Sequence, residues 1–237
     1  MQLQDRGSAV PVKFVSFSGI DGAGKSCQIR ALSARLECEG VQVQVVAFWE
    51  QIARLRSLRE KSGKRLFGGD TGVGSPEAPI NRRDKNVRTW PMTCLRTFLY
   101  LLDSIALRRF VIQARRAGGA KVVIFDRYIY DELANLNLSN GLARSYARLI
   151  MKLTPAPDLG FLLDADPVDA RARKPEYPLE FIHLNRQSYL ELSRLVGGIT
   201  IIPPMPIEDV EWQILHRTRS ILANQNGQCE LSNALQG

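Results

Sequence analysis

Five short apolar runs alternate with stretches of helical periodicity along most of this chain, and that alternation sets the expected fold. Val12 to Ser18 is a β-branched and aromatic run that stops at Gly19, the pattern of a strand buried on both faces. Val41 to Phe48, Lys121 to Asp126, Leu159 to Asp164 and the short Ile199 to Ile202 repeat that pattern. Between the first two runs, Ile29, Leu32 and Leu36 fall at helical spacing over Lys25 to Glu39, and Gly40 supplies the stop. A longer helix is predicted from Met92 to about Ala117, carrying Leu95, Phe98, Leu99, Leu102, Ile105 and Phe110 and ended by Gly118-Gly119. Ile52 to Lys61 also reads as helical. Strands alternating with helices predict an α/β protein, a five-stranded parallel sheet with helices on both faces.

Residues 62–91 break the pattern. They are rich in glycine and proline, carry the basic run Asn81-Arg82-Arg83-Asp84-Lys85, and are too long for an ordinary connector, so a long loop insertion is expected. The polar stretches 1–10 and 224–237 read as flexible tails around one domain over 11–223.

Composition narrows the partners. With 237 residues and 45% hydrophobic content, the chain fills one sizeable core. No apolar run approaches the roughly 18 residues a membrane span needs, and Met1 to Val10 lacks the layout of a secretory signal. No membrane partner is expected. The four cysteines, Cys27, Cys38, Cys94 and Cys229, are scattered without ligand-like spacing, which fits reduced thiols in a cytoplasmic protein. The net charge of +8 points to anionic partners. No basic stripe interleaves with aromatics, so the charge is assigned to solvated helix faces and a phosphate-binding cleft, not to nucleic acid.

The chemistry is concentrated after the first strand. Gly19-Ile20-Asp21-Gly22-Ala23-Gly24-Lys25-Ser26 fits G-x-x-x-x-G-K-S/T, directly between a strand and a helix. Glycines at these positions let backbone N–H groups curl around phosphate oxygens, and the helix N-terminus adds unpaired donors. Gly19, Asp21, Gly22, Ala23, Gly24, Lys25, Ser26 and Cys27 are therefore the candidate ATP-binding residues. Lys25 is expected to reach the β- and γ-phosphates and the Ser26 hydroxyl to ligate Mg²⁺. Cys27 sits at the helix start, where a thiolate is favoured, but an inert packed thiol is the commoner outcome.

This loop, together with Val123-Ile124-Phe125-Asp126-Arg127-Tyr128, Pro157 to Pro167 and the Phe181 to Leu190 stretch, resembles the thymidylate kinase family of P-loop nucleoside monophosphate kinases. The resemblance implies transfer of a phosphoryl group from ATP to an acceptor nucleotide, with dTMP the family precedent. It implies that Asp126 reaches Mg²⁺ and that Arg127 holds the acceptor phosphate. It also implies that residues 167–180 form a lid whose Arg171 and Arg173, with Lys174, neutralise charge on the transferring group. Asp21 resembles the family's acid that contacts the acceptor sugar. Asp164 and Asp166 are rival metal carboxylates, since they too follow an apolar strand. Family members are commonly dimers through the long helix, where Leu95, Leu99 and Leu102 offer either a homodimer surface or plain core.

Three positions depart from the family. Its Arg-Glu-Pro after the second strand is Phe48-Trp49-Glu50 here, and its base-reading helix has Ser104 and Ala106 in place of an arginine and a glutamine, although Asp103 remains. Base selection depends on such hydrogen-bond partners, so thymine selectivity is expected to erode. Two other readings follow. A hydroxyl acceptor, a deoxynucleoside or sugar, would use Glu50 as base, placed as in deoxynucleoside kinases, which this region also resembles. A non-catalytic nucleotide-binding module would explain the decayed acceptor positions.

Overall fold

The computed structural model describes residues 11–52, 90–117 and 120–234, with residues 90–96 and 224–234 described by their backbone alone. The predicted helix over 53–61, the 62–89 part of the loop and the tail 1–10 lie outside the described residues. Elements follow in the order β1 (Lys13–Ser18), α1 (Lys25–Cys38), β2 (Val43–Ala47), a short π-helical turn (Phe48–Ile52), α2 (Trp90–Ala117), β3 (Val122–Asp126), α3 (Ile129–Leu133), α4 (Gly141–Leu153), β4 (Leu159–Leu163), α5 (Pro167–Arg173), α6 (Leu179–Val196), β5 (Ile199–Ile202) and α7 (Ile207–Ala234). The last helix continues past Asn224, where the sequence suggested a flexible tail.

The five strands form one sheet in the order β2-β3-β1-β4-β5. Every pairing is parallel, with Phe17 of β1 opposite Asp126 of β3 and Phe161 of β4. This is the α/β P-loop fold. Residues alternate across the pleat, so each strand feeds two cores. Phe14, Val123, Phe125 and Leu162 face one side, with Leu107, Leu133 and Ile150 of α2, α3 and α4. Val15, Phe17, Ile124 and Leu163 face the other, with Ile29, Leu32 and Leu36 of α1 and Ile214 of α7. Sealed on both faces, the sheet exposes its chemistry where the strands end. In parallel sheets ligands bind outside the carboxyl ends of the strands, and Ser18, Asp126 and Leu163 end β1, β3 and β4.

The dimer surface expected from Leu95, Leu99 and Leu102 changes in one respect. Leu99 is buried in the core, Leu95 lies outside the described side chains, and among the described side chains the exposed apolar residues of α2 are Phe98, Ile105 and Ile112, seven apart. A period of seven keeps residues on one helix stripe, and here that stripe lies opposite the core.

Candidate functional site

Sharp turns at glycine shape the loop after β1. Gly22 and Gly24 have φ of 85° and 88°, a conformation that other residues reach only with strain. The turn is closed by the Ala23 N–H donating to the Ile20 carbonyl at 3.2 Å. α1 begins at Lys25 with no side-chain cap and no acidic residue in its first turn. Its leading N–H groups and positive dipole end therefore face the loop with no side chain of the helix's own first turn capping them. Ser26 lies exposed in that first turn and Cys27 is half-buried.

Lys25 is only 7% exposed. Its Nζ donates to the carbonyls of Gly19 and Ile20, both at 2.8 Å, which holds the ammonium over the loop. Burial and the neighbouring Arg127 lower its pKa to about 8, against the pull of Asp21, Asp131 and Asp126. A buried cation beside a second cation favours an anion that would compensate both.

Asp126 and Arg127 follow directly at the end of β3. Asp126 is half-buried and close enough to Lys25 to act on its charge, and its carboxylate makes no hydrogen bond with another described residue. Arg127 has φ of 72°, the one positive value outside glycine among the described residues. Its N–H donates to the Phe17 carbonyl at 3.0 Å, tying the turn to β1. Its guanidinium is shared between two acids: one terminal nitrogen lies 2.5 Å from Asp21 Oδ1 and the other 3.5 Å from Asp131 Oδ1. The Arg127 pKa is raised, with Asp131 and Asp21 outweighing the opposing effect of burial.

The segment after β4 closes over the loop. Asp166 caps α5, accepting from the N–H groups of Val168 at 2.8 Å and Asp169 at 3.3 Å. The backbone of α5 then lies so close to the loop that a Cβ on Gly22 would clash with the Ala170 carbonyl oxygen. Lys174, just beyond α5, sits 3.9 Å from Asp21 and 3.4 Å from Glu176. Arg171 is half-buried and Arg173 exposed, its Nε donating to the Asp169 carbonyl at 3.2 Å. Arg173 also lines a cavity of about 290 Å³ with Gly24, Cys27, Asp169, Pro203 and Met205. The rival metal carboxylates are already engaged. Asp164 accepts a bidentate pair from Arg186 at 2.6 and 2.7 Å, and Asp166 is the cap.

Gly19 to Cys27, Asp126 and Arg127 are thus brought to one end of the sheet, with Arg173 on the adjoining cavity. The acceptor-side departures have structural consequences. Phe48 is fully buried in the core, stacked edge-on to Trp49, while Glu50 is exposed. Asp103 and Ser104 are both buried, and the Ser104 hydroxyl donates to the Tyr100 carbonyl of its own helix at 2.9 Å. Ala106 packs half-buried against the core. Arg82, Arg83, Lys85 and Arg88 lie outside the described residues. The sequence alone did not single out Asp131 or Tyr189 as partners of Arg127. The only signal was a carboxylate four residues after Arg127, at the start of an apolar helix.

No protein-family model matches the chain. Individual relatives do. A probable thymidylate kinase of Methanosphaera stadtmanae is 26% identical over 83% of this chain and 92% of its own length. A probable thymidylate kinase of Pyrobaculum aerophilum is 29% identical over 75% and 81%. The thymidylate kinase of Tropheryma whipplei is 28% identical over 76% and 81%.

Proposed function

We propose that this chain, a divergent thymidylate kinase-like nucleotide kinase, passes the terminal phosphoryl group of ATP to a nucleoside monophosphate, with dTMP the first candidate. The observation that carries the reading is the gathering of two cations where β1 and β3 end, Lys25 on the Gly19 and Ile20 carbonyls and Arg127 on Asp21 of the same loop. One cation belongs to the phosphate-binding loop and the other to the next strand, as transfer between two phosphate groups requires. The relatives named above support dTMP as acceptor.

The donor set fits Mg²⁺, a hard cation that takes one or two protein oxygens and completes its shell with phosphate and water. The Ser26 hydroxyl and the Asp126 carboxylate would supply those oxygens. Among the described residues no cluster of three or more His, Cys, Asp or Glu could hold a metal by itself. Bound there, Mg²⁺ would offset charge on the phosphate oxygens.

The acceptor phosphate is already an anion, so the reaction needs positioning and charge stabilisation and no general base. Lys25 and the loop N–H groups hold the donor phosphates. Arg127 holds the acceptor phosphate, and Arg171 and Arg173 on the lid, residues 167–180, neutralise charge at the transferring group. The cavity bordered by Gly24, Arg173 and Met205 suits the nucleoside end of ATP. An ADP-release screen with ATP and Mg²⁺ against each nucleoside monophosphate, then nucleosides and sugars, tests the reading. Release driven by monophosphates supports it, and release driven only by a hydroxyl acceptor contradicts it.

Glu50 separates the two acceptors. As the base for a hydroxyl acceptor it would be indispensable, yet it is exposed in the π-helical turn after β2, beyond the buried Phe48. Glu50→Gln is expected to retain turnover within about threefold, since a general base contributes roughly 10²-fold or more. Steady-state ADP release by this variant checks it.

A homodimer is the expected assembly, through Phe98, Ile105 and Ile112 of α2. Tyr146 of α4 donates to the Thr97 carbonyl of α2, beside Phe98, and α4 adds the exposed apolar residues Leu149 and Leu153. Ile105→Asp is expected to convert a dimer into a monomer in analytical ultracentrifugation, and an unchanged sedimentation mass would count against this surface. Reduced thiols at Cys27 and Cys38 are consistent with a cytoplasmic protein.

A further inference from the structure

Asp131 is 3% exposed, a carboxylate sealed inside the protein. A charge so placed must be compensated by hydrogen bonds, and this one is. One oxygen accepts from the Ser18 hydroxyl at 2.6 Å and from the Tyr128 N–H at 3.0 Å. The other accepts from the Tyr189 hydroxyl at 2.8 Å and lies 3.5 Å from the Arg127 guanidinium. The three donors and the ion-paired guanidinium come from the end of β1, from both residues of the turn after Asp126, and from α6, the helix that follows the lid. The enclosed Tyr189 hydroxyl has its pKa raised well above the usual phenol range by burial and then by Asp131, so it remains a donor.

The turn these bonds hold is the strained one. A left-handed residue other than glycine is strained and persists only where its surroundings over-determine it. Arg127 is that residue, with φ of 72°. The same turn leads its side chain back toward Asp21 at the phosphate-binding loop. Asp131 fixes both parts of the arrangement: the Tyr128 N–H on one side of the turn and the second guanidinium nitrogen of Arg127.

We infer that Asp131, with Tyr189 braced against it, is a positioning residue for Arg127, holding the left-handed turn and the guanidinium in the pose that grips the acceptor phosphate. This rests on the role proposed above for Arg127. Asp131 itself touches no reacting atom. Because Tyr189 belongs to α6, the pose of Arg127 is also tied to the helix that carries on from the lid.

The test is a double-mutant cycle read on both substrates, with dTMP as acceptor and ATP·Mg²⁺ as donor. Asp131→Asn keeps the size of the side chain but turns two donors toward bonds that need acceptors. It is expected to lower kcat/KM for dTMP about tenfold, and Tyr189→Phe about threefold, with ATP affinity unchanged in calorimetry at about pH 6, where Lys25 stays charged even without the pull of Asp131. In an Arg127→Ala background, Asp131→Asn is expected to add no further loss for dTMP, since there is no guanidinium left to position. A purely structural role would instead lower both substrate affinities and melting temperature together, and would add its full penalty in the Arg127→Ala background; either result overturns the inference. So does wild-type handling of dTMP by both Asp131→Asn and Tyr189→Phe while Arg127→Ala is impaired. Wild-type dTMP kinetics in Arg127→Ala overturn the underlying role of Arg127 and the inference with it. Tyr189→Phe removes one hydroxyl without changing the ring, so it keeps the test decisive if Asp131→Asn does not fold.

Discussion

Lys25→Ala is expected to cut ADP production on the order of 10²–10³-fold, the usual cost of removing one donor that stabilises transition-state charge. The fold is expected to survive. The ammonium is buried beside Arg127 and its pKa is depressed to about 8, so the folded protein carries it at an electrostatic cost. Removing it relieves that cost while leaving the carbonyls of Gly19 and Ile20 without their donor, and the two effects oppose each other. The pH dependence has a definite sign. Lysine ordinarily titrates at 10.5, and in the fold Lys25 is lowered to about 8, so between those values it binds fewer protons folded than unfolded. Stability therefore rises with pH through that window. Lys25→Ala abolishes this rise. Phosphate binding demands the charged form, so ATP affinity is expected to fall as pH climbs past about 8 in the wild type and to stay flat in the variant. Calorimetric titrations of ATP·Mg²⁺ at about pH 7 and about pH 9, on either side of that value, check the affinity, and thermal melts over the same range check the stability.

Arg127→Ala is expected to lower kcat/KM for the acceptor about 100-fold, with ATP affinity little altered. Its two ion pairs join the phosphate-binding loop to α3, through Asp21 and Asp131, so the loss falls on the acceptor side of the loop. Stability should respond differently from activity. The backbone at 127 is left-handed, and glycine occupies that region without the clash, so Arg127→Gly is expected to be more stable than Arg127→Ala by about 1 kcal/mol. Thermal melts of the two variants, beside their matched loss of turnover, would identify strain retained for function. Equal melting temperatures would remove that interpretation.

The sheet was legible because buried parallel strands are written as compact apolar runs. Ile199 to Ile202 appears with the predicted bounds, and the other four strands shorten by only one to three residues. The sharp turn after β1 was legible because its glycines answer local backbone demands, as the φ values of Gly22 and Gly24 bear out. Contacts between distant segments were not. Tyr189 meets Asp131 across 58 residues of sequence, and no periodicity in α6 distinguishes that tyrosine from a core aromatic. The closeness of Ala170 to Gly22 is likewise a product of how α5 packs; the resemblance implies a lid over residues 167–180, but nothing in the sequence says which of its residues meets the loop. Leu99 and Phe98 show the same limit at one-residue resolution. Both are apolar and adjacent, and only the direction of the sheet decides which is core and which is surface. Phe48 extends it to the acceptor side. A position the resemblance assigns to an arginine holds an aromatic, which the core has absorbed.

Titration of the protein with ATP·Mg²⁺ at neutral pH, followed by calorimetry, tests most directly whether the turn from Gly19 to Ser26 receives a polyphosphate. The expected result is saturable binding at a single site, with affinity in the micromolar to millimolar range usual for enzyme substrates and strongly reduced by the Cβ of Gly22→Ala, which would strike Ala170. Absence of saturable binding, or binding indifferent to Gly22→Ala, would contradict it.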